Sequence, residues 1–320
     1  MALNPRFMKL KVGTRGSKLA LTQTNMVCDA LTSANPGLEI EVVVIKAAGD
    51  WKPAQGEVRL SETAGGKGQF VKDIEEYILN GHIDIGVHSL KDVPTHMPAG
   101  LTLGHFTERD DPRDVFISKT AKSLDELPAG AVVGTASVRR QAVILNRRPD
   151  LKVVTLRGNI DTRLEKLNNG QCDAIVLAAV GLKRIGRDHV ISSYIEPEAM
   201  LPAVGQGVLA IESRENDTET HRILESVNHE PTRLIVQAER ALLAALNGSC
   251  GTPIGSFAQW NNDGAMRLRG FFASPDGAEM YHAEETSSVK TSDDASALGL
   301  RLGRELKTMI PESVLLSVAS

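Results

Sequence analysis

The chain has three cysteines, and one of them is placed for covalent chemistry. Cys250 lies in a glycine-flanked segment, residues 247–253 (NGSCGTP), that follows a helical pattern. Such a loop can expose a thiol to a cleft, and the thiolate is a strong nucleophile. No histidine stands beside it in the sequence, so a cysteine-protease dyad is not indicated. Cys28, on an amphipathic helix, and Cys172, before an apolar strand, are interpreted as packing residues.

Positive side chains recur at four points where a predicted strand gives way to a helix. These junctions are residues 14–17 (TRGS), 65–68 (GGKG), 135–140 (TASVRR) and 157–163 (RGNIDTR). The first turn of a helix presents unpaired N–H groups and partial positive charge, and a guanidinium adds a two-pronged donor for carboxylates. One junction is weak evidence, because Ser and Thr are ordinary N-caps. Four junctions predict a ligand with several negative charges, and without a GxxxxGK[ST] motif we favour a polycarboxylate.

The segment 84–94 (DIGVHSLKDVP) places further polar residues beside the end of a predicted strand. The strand ends near His88, which we interpret as a packed side chain. Ser89, Lys91 and Asp92 therefore lie at the carboxyl edge of a sheet, where α/β proteins bind ligands. An aspartate beside a lysine can hold a cationic or N–H-bearing group and move protons. A solvated turn whose aspartate caps a helix explains the same residues, and the pattern leaves both interpretations open.

Length and composition limit the classes of protein to consider. The 320 residues are 42% hydrophobic and 24% charged with a formal net charge of −4, which indicates a globular chain of two or three domains. Sequence-independent nucleic-acid binding needs broad basic surfaces and is not expected. The cysteines lack CxxC spacing, which argues against a disulfide framework or a structural zinc site. Residues 1–20 lack a signal-peptide core, and no window reaches membrane-spanning length, so we expect a cytoplasmic protein.

The hydrophobic pattern alternates between strands and helices, which predicts α/β layers around mainly parallel sheets. After about residue 226 the pattern changes to a smaller α+β domain. The polar segment 51–66 is predicted to be a long loop, either a lid or a surface loop. Strands are predicted at residues 9–13, 39–47, 83–88, 131–134, 152–156, 174–178, 255–259 and 266–273, and helices at residues 17–32, 70–80, 138–146, 162–168, 232–246 and 294–309.

Over nearly its whole length the chain resembles the hydroxymethylbilane synthase (porphobilinogen deaminase) family. The strings that carry the resemblance are TRGSKLALTQT, GGKGQFVKDIE, DIGVHSLKDVPT, ERDDPRDVFIS, VVGTASVRRQA, LRGNIDTRLEKL, DAIVLAAVGLKR, LPAVGQGVLAIE and NGSCGTPIG. The resemblance implies two periplasmic-binding-protein-like (type II) α/β domains and a smaller α+β C-terminal domain. The implied boundaries are residues 1–107 with 206–226, residues 108–205, and residues 227–320.

The resemblance also implies the reaction, in which four porphobilinogen molecules condense head to tail with release of ammonia. Water then frees the linear tetrapyrrole hydroxymethylbilane. The implied cofactor is dipyrromethane, joined through a thioether to Cys250, in a monomer without nucleic-acid or membrane partners. Ser249 departs from the family, because many relatives have a second glycine before the cysteine.

Residue roles carried over from the family fall into three groups. Asp92 is the implied catalytic residue, which bonds to pyrrole N–H groups and stabilises the positive charge that develops as ammonia leaves. The implied cofactor-binding residues are Cys250, Ser89, Lys91, Asp92, Thr135, Ser137, Arg139 and Arg140. The implied substrate-binding residues are Arg15, Ser17, Lys67, Phe70, Arg157, Arg163, Arg184 and Gln206.

Two other functions account for part of the pattern. A two-lobed cytosolic binding protein for a polycarboxylate ligand would explain the arginines, the paired α/β lobes and the hinge-like LPAVGQG segment, but not a third domain with an exposed thiol. The effector domain of a DNA-binding regulator can share the two-lobed fold. The lack of a helix-turn-helix pattern and the acidic balance count against it.

Overall fold

The computed structural model describes residues 9–45, 69–249 and 251–319. These residues form two compact units. The first unit contains residues 9–45, 69–110 and 207–233, and the second contains residues 111–206 and 234–319. The predicted loop 51–66 lies outside the described residues. No helix in the described ranges combines the length and apolar character needed to cross a membrane.

Every strand and helix predicted from the pattern has a counterpart in the structure. The strands are β1 Lys9–Arg15, β2 Glu39–Ile45, β3 Ile85–Ser89, β4 Leu101–Phe106, β5 Asp114–Ser118, β6 Val132–Gly134, β7 Lys152–Val154, β8 Ala174–Ala178, β9 Ser193–Ile195, β10 Leu209–Arg214, β11 Ile254–Trp260, β12 Met266–Ala273 and β13 Met280–Ser287. The helices are α1 Lys18–Ala34, α2 Gln69–Leu79, α3 Val138–Arg147, α4 Ile160–Asn168, α5 Ala179–Arg184, α6 Thr218–Leu224, α7 Glu230–Ala245, α8 Ser292–Met309 and α9 Glu312–Ala319.

The first unit is a five-stranded sheet with helices on both faces. Its strand order is β2-β1-β3-β10-β4. Helix α1 packs on one face, where Val27 and Leu31 join Val12 in a buried cluster. Helix α2 contributes Ile74 and Ile78 to a second buried cluster. The sheet is thus covered on both sides by apolar helix faces, as α/β layers require.

The second unit contains a sheet of the same kind, with the order β7-β6-β8-β5-β9. Strand β8 is buried along its whole length, and its residues alternate between two cores. Ala174 and Val176 join the cluster that includes α3, whereas Ile175 and Leu177 join the cluster that includes α5. Both five-stranded sheets therefore belong to α/β layers, as the resemblance implied.

Both five-stranded sheets are mainly parallel, as predicted, but each contains one strand that runs against the other four. In the first unit, β1 runs parallel to β2 and β3, but β10 runs antiparallel to β3 and β4. In the second unit, β6 runs parallel to β7 and β8, but β5 runs antiparallel to β8 and β9. Parallel pairs need a crossover, which the strand-helix rhythm reveals. Strands β5 and β10 do not follow such a crossover within their own sheets, and the pattern did not identify them.

The C-terminal part of the second unit is a small α+β layer, as predicted. Strands β11, β12 and β13 form an antiparallel sheet in chain order. Leu242 of α7 and Leu298 and Leu302 of α8 are fully buried against it. Because this sheet lies in the same compact unit as residues 111–206, the division into three domains and its boundaries stays a prediction.

Candidate functional site

Strand β3 ends in a short turn that turns Lys91 and Asp92 away from the core. Residues Leu90–Asp92 form one turn of 3-10 helix. Leu90 and Val93 are 1% and 5% exposed, and the Leu90 N–H donates to the Val208 carbonyl at 3.0 Å. Two buried apolar side chains thus hold the turn from both sides. Lys91 is half-buried between them and Asp92 is exposed, so its carboxylate is accessible to a ligand.

The end of β1 and the start of α1 lie at the same edge as this turn. Arg15 is the last residue of β1, and Ser17 caps α1 by accepting the Ala20 N–H at 3.3 Å. Gln23 of α1 donates to the Ser89 hydroxyl at 2.9 Å. Because β1 and β3 are parallel neighbours, their carboxyl ends meet. The first unit therefore brings Arg15, Ser17, Ser89, Lys91 and Asp92 to one edge.

His88 lies directly below that edge and is a packed residue, as interpreted from the sequence. Its Nε2 atom lies 2.9 Å from Glu212 Oε2, and both side chains are buried. Gly86 makes room for the ring, because a Cβ atom at residue 86 would lie 2.9 Å from His88 Nε2. Glu75 of α2 is buried nearby, and burial followed by the charge of Glu212 raises its pKa.

We expect Glu75→Gln to stabilise the protein at pH 7. A carboxyl whose pKa is raised on folding is destabilised when ionised, and the penalty is present above its folded pKa. The penalty is absent below the unfolded pKa of about 4.3, where both states are protonated. The variant should therefore raise Tm by roughly 1–3 °C at pH 7 and by much less near pH 4.

Thermal unfolding of the Glu75→Gln variant at both pH values tests this expectation. Glu76→Gln is the matched control, since Glu76 is the exposed neighbour on the same helix. A lower Tm for Glu75→Gln than for the parent at pH 7 would contradict the expected sign.

In the second unit, the loop after β6 forms the start of α3. Ser137 caps this helix and accepts the Arg140 N–H at 3.4 Å. The buried Thr135 hydroxyl accepts the Ser137 N–H at 3.2 Å. Because β6 is parallel to β7 and β8, this helix start lies at the carboxyl ends of all three strands. Its N–H groups and hydroxyls are suited to an anion.

Arg139 and Arg140, on the first turn of α3, are buried rather than displayed at the surface. They are 3% and 5% exposed, and each donates one Nη2 bond to the fully buried Asp114, at 2.7 and 2.8 Å. Their Nη1 atoms donate to the carbonyls of Leu201 and Val176. Both Nε atoms are buried and have no hydrogen-bond partner within the described part of the chain. The sequence reasoning predicted these two arginines as ligand-binding residues but not their shared carboxylate.

Gln206 belongs to the same cluster. Its side chain is fully buried, and its amide nitrogen donates to Asp114 Oδ1 at 2.9 Å and to the Pro112 carbonyl at 2.6 Å. Asp114 lies in the string ERDDPRDVFIS, which contributed to the resemblance, but no spacing rule pointed to its role. Its partners follow it in the chain by 25, 26 and 92 residues, so only tertiary structure reveals them.

The loop after β7 leads to a second helix start at this edge. Arg157 is 6% exposed, and Gly158 has a φ of +109°, which favours glycine. Asn159 caps α4 by accepting the Thr162 N–H at 2.9 Å. Arg163 is half-buried, and its Nε donates to the Gly158 carbonyl at 2.8 Å. Like α3, this helix presents its N-terminus at the carboxyl end of a parallel strand.

The remaining predicted site residues are described only in part. Arg184, the last residue of α5, is half-buried. Cys250 and Lys67 lie outside the described residues, and so does the side chain of Phe70. All these residues therefore keep the status of predictions for ligand contact.

The residues on both sides of position 250 form a compact turn. Helix α7 ends at Ala245, Asn247 follows with a φ of +52°, and the Gly248 N–H donates to the Leu243 carbonyl at 2.9 Å. A Cβ atom at residue 248 would lie 2.5 Å from terminal methyl groups of Leu243 and Ile254, so a larger residue would require both side chains to shift. Ser249 accepts the Gly251 N–H at 3.1 Å. The Ser249 side chain thus adds a hydrogen bond to the loop.

The other two cysteines are confirmed as packing residues. Cys28 and Cys172 are 8% and 6% exposed. Burial raises the pKa of each thiol to about 11. A buried, protonated thiol is a poor nucleophile. Covalent chemistry at either residue is therefore not supported.

Comparison with known proteins matches almost the whole chain to one family. The family model described as porphobilinogen deaminase, dipyromethane cofactor binding domain, matches residues 10–222. The model for the C-terminal domain of porphobilinogen deaminase matches residues 233–308. Two models of the same family thus account for both compact units.

Individual relatives agree with the family models. The porphobilinogen deaminase of Brevibacillus brevis is 48% identical over 298 residues, covering 93% of this chain and 94% of that protein. That of Shouchella clausii is 47% identical over 311 residues, covering 93% and 99%. Among solved structures, the periplasmic VFT2 domain of Bordetella pertussis BvgS aligns with a TM-score of 0.42 and 17% identity, covering 69% of this chain and 87% of that domain.

Proposed function

The chain belongs to the porphobilinogen deaminase family, and from this premise we propose that it holds its dipyrromethane on Cys250 and uses Asp92 as its catalytic carboxylate. Its activity is that of a hydroxymethylbilane synthase, a transferase of porphyrin biosynthesis. It joins four porphobilinogen molecules head to tail, releases ammonia, and frees the linear tetrapyrrole with water. The observation that carries the function is identity of 48% across 93% of the chain.

The residues of the second unit fit a dipyrromethane group. Each pyrrole ring of such a group carries two carboxylates, so the group needs several cationic donors. The unit supplies Arg139 and Arg140. Their buried Nε atoms have no hydrogen-bond partner among the described residues. It also supplies the Ser137 hydroxyl and the first turn of α3. We propose that Ser137, Thr135 and the two arginines hold the cofactor carboxylates. Hydrogen bonds from arginine to a carboxylate are charge-assisted and therefore strong.

In the first unit, the exposed turn supports the role of Asp92. When bound, dipyrromethane supplies the primer to which the first substrate is joined. Asp92 accepts hydrogen bonds from pyrrole N–H groups. The C–N bond of the substrate's aminomethyl group breaks and its electrons leave with ammonia, so positive charge develops on the pyrrole. A fixed carboxylate stabilises that charge without reorganisation. Ser89 and Lys91, on the same turn, orient the cofactor beside it.

The substrate and the growing chain carry further carboxylates. We propose that the positively charged and hydroxyl-bearing residues predicted from the family bind them, namely Arg15, Ser17, Lys67, Arg157, Arg163 and Arg184. Phe70 would help to close the site. Gln206 is fully buried against Asp114, so we propose that it supports the arginines and does not contact the substrate directly.

The cellular setting is also proposed from the family. The sparse cysteines support a cytoplasmic setting, and the family suggests a monomer that acts on a small-molecule substrate without nucleic-acid or membrane partners. Size-exclusion chromatography with light scattering tests the monomer. A mass of twice 34.4 kDa would contradict it.

Arg157→Ala is expected to raise KM for porphobilinogen by about 10- to 150-fold. Arg157 lies at the carboxyl end of β7, and loss of one charge-assisted hydrogen bond costs roughly 1.5–3 kcal/mol. The measurement is the steady-state rate of ammonia release against porphobilinogen concentration. Mass spectrometry identifies the product as the tetrapyrrole, and comparison with the ammonia released tests the ratio of four ammonia molecules to each tetrapyrrole.

Arg147→Ala is the matched control for this substitution. Arg147 ends the same lobe's α3, is exposed, and pairs with Asp125 far from the carboxyl edge of the sheet. Its KM should stay within about twofold of the parent value, as for surface changes. If the Arg157→Ala enzyme has the parent's KM, Arg157 does not bind the substrate.

A further inference from the structure

We propose that Asp114 is a positioning residue for this reaction, which holds Arg139 and Arg140 in the orientation that binds ligand carboxylates. The inference rests on the proposed function of the two arginines and adds a residue that is not among the family-derived site residues. Asp114 itself does not touch the ligand. It acts through its partners, and it sets how many positive charges the cluster keeps for a ligand.

The position of Asp114 in the sheet explains why it reaches both arginines. It is the first residue of β5 and pairs with Ala178, the last residue of β8. Because the two strands are antiparallel, the start of β5 lies at the same edge as the carboxyl end of β8. The first turn of α3 begins at that edge. The antiparallel strand therefore brings a carboxylate under the helix start from a distant part of the chain.

The hydrogen bonds leave Asp114 no freedom to rotate. Its Oδ2 accepts Arg139 Nη2 at 2.7 Å, and its Oδ1 accepts Arg140 Nη2 at 2.8 Å and Gln206 Nε2 at 2.9 Å. The side chain is 0% exposed. A carboxylate with both oxygens occupied and no solvent access is not a proton carrier or ligand contact. It is a clamp between two guanidinium groups.

Each guanidinium is fixed on a second side by a backbone carbonyl. Arg139 Nη1 donates to Leu201 at 2.7 Å, and Arg140 Nη1 donates to Val176 at 3.0 Å. A guanidinium has five N–H donors. The Nε donors of both arginines lack a partner in the described ranges. Asp114 and the two carbonyls thus fix the planes of both guanidinium groups, and the Nε donors are left to bind a ligand.

The charges of the cluster do not balance. Within the described residues, Asp114 is the one carboxylate that pairs with Arg139 or Arg140. Two positive charges and one negative charge leave a net charge of +1 in a buried place. An unbalanced buried charge is unfavourable, and an incoming carboxylate relieves it. The imbalance therefore favours an anion, whereas removal of Asp114 would leave two like charges in contact.

The ionisation of Asp114 supports this arrangement. Burial alone would raise its pKa, but the charges of Arg139 and Arg140 hold the pKa well below its ordinary value. The carboxylate therefore stays ionised throughout the neutral range.

Asp114→Asn tests the proposal, because it keeps the shape of the side chain and removes its charge. Asp111→Asn is the matched control. Asp111 is three residues earlier and also pairs with two cations, Arg113 and Lys183, at 2.9 and 2.7 Å, but it makes no bond to Arg139 or Arg140. For each protein, three quantities are measured: Tm, the fraction of chains that carry the covalent cofactor by intact mass, and KM for porphobilinogen.

We expect folded Asp114→Asn protein with at most one third of the parent's cofactor-loaded fraction. The loaded chains should have a KM raised at least tenfold, with kcat changed less. Asp111→Asn should keep the loaded fraction and a KM within twofold of the parent, whatever its Tm. If the two variants lose similar Tm and both keep the parent's loading and KM, Asp114 is purely structural and the proposal is overturned.

Asp114→Glu decides the question if the asparagine variant is not recovered folded. It keeps the buried charge and moves the oxygens by one methylene group. A KM raised at least threefold supports positioning, and a KM within twofold of the parent overturns it. If neither variant folds, Asp114 serves the fold alone and the proposal is again overturned. Failure of the proposed function is distinct, because it would show in the parent as absence of the cofactor adduct and of turnover.

Discussion

Cys250→Ser is expected to yield a protein with no covalent dipyrromethane and with turnover lowered by more than about a thousandfold. The proposed attachment is a thioether formed by the thiolate, and a serine hydroxyl is far less nucleophilic than a thiolate. Loss of a residue that carries covalent chemistry costs several orders of magnitude in rate. Intact-protein mass spectrometry of parent and variant, produced in a host that makes porphobilinogen, gives the adduct directly.

The other two cysteines provide the control for this prediction. Cys28→Ser and Cys172→Ser replace thiols that are buried in apolar cores, so both should keep the adduct mass even if Tm falls. An unmodified parent protein, or an adduct that persists in Cys250→Ser, would contradict the attachment at Cys250. Loss of the adduct in Cys172→Ser with a parent-like Tm would place the attachment elsewhere.

Asp92→Ala is expected to keep the cofactor adduct, or most of it, and to lower kcat by about 10²–10³-fold. The magnitude is that of losing one preorganised group that stabilises developing charge. The fold should be preserved, because Asp92 is exposed and the turn is held by the buried Leu90 and Val93. Substitutions at exposed positions usually change stability by less than about 0.5 kcal/mol.

Three measurements on the same preparation separate catalysis from folding and loading. Tm reports the fold, intact mass reports the cofactor, and the rate of ammonia release reports turnover. Asp29→Ala is the control, since Asp29 is an exposed carboxylate of the same unit on α1. Near-normal kcat in loaded Asp92→Ala protein would refute the catalytic role. A parent-like Tm with complete loss of the adduct would assign Asp92 to cofactor assembly.

The two predictions distinguish the roles of the two units. Cys250 belongs to the C-terminal part of the chain and Asp92 to the first unit. The first variant should lack both adduct and turnover, whereas the second should lack turnover alone. That difference requires two separate chemical roles, attachment of the cofactor and stabilisation of charge. A simple binding protein for polycarboxylates would have neither an adduct nor turnover to lose.

Local sequence was sufficient to predict most elements and the edges at which the site residues gather. The alternation of strands and helices located β1, β3, β6 and β8 because each precedes or follows a periodic helix. The carboxyl ends of parallel strands meet at one edge, so Ser89 and Ser137 could be assigned to ligand-facing edges before any coordinates. The resemblance then supplied roles that spacing alone had left open, above all for Asp92.

The sequence by itself determined the family, the α/β class and the arginine-bearing helix starts, and it predicted the reactive cysteine, because these depend on residues close together in the chain. Only the tertiary structure decided that β5 and β10 run antiparallel, and that Arg139 and Arg140 lie buried on Asp114. Strand direction depends on how the chain returns to a sheet, and a buried charge is tolerated only where its partner is packed against it. Both depend on contacts between residues far apart in sequence, which no local pattern encodes.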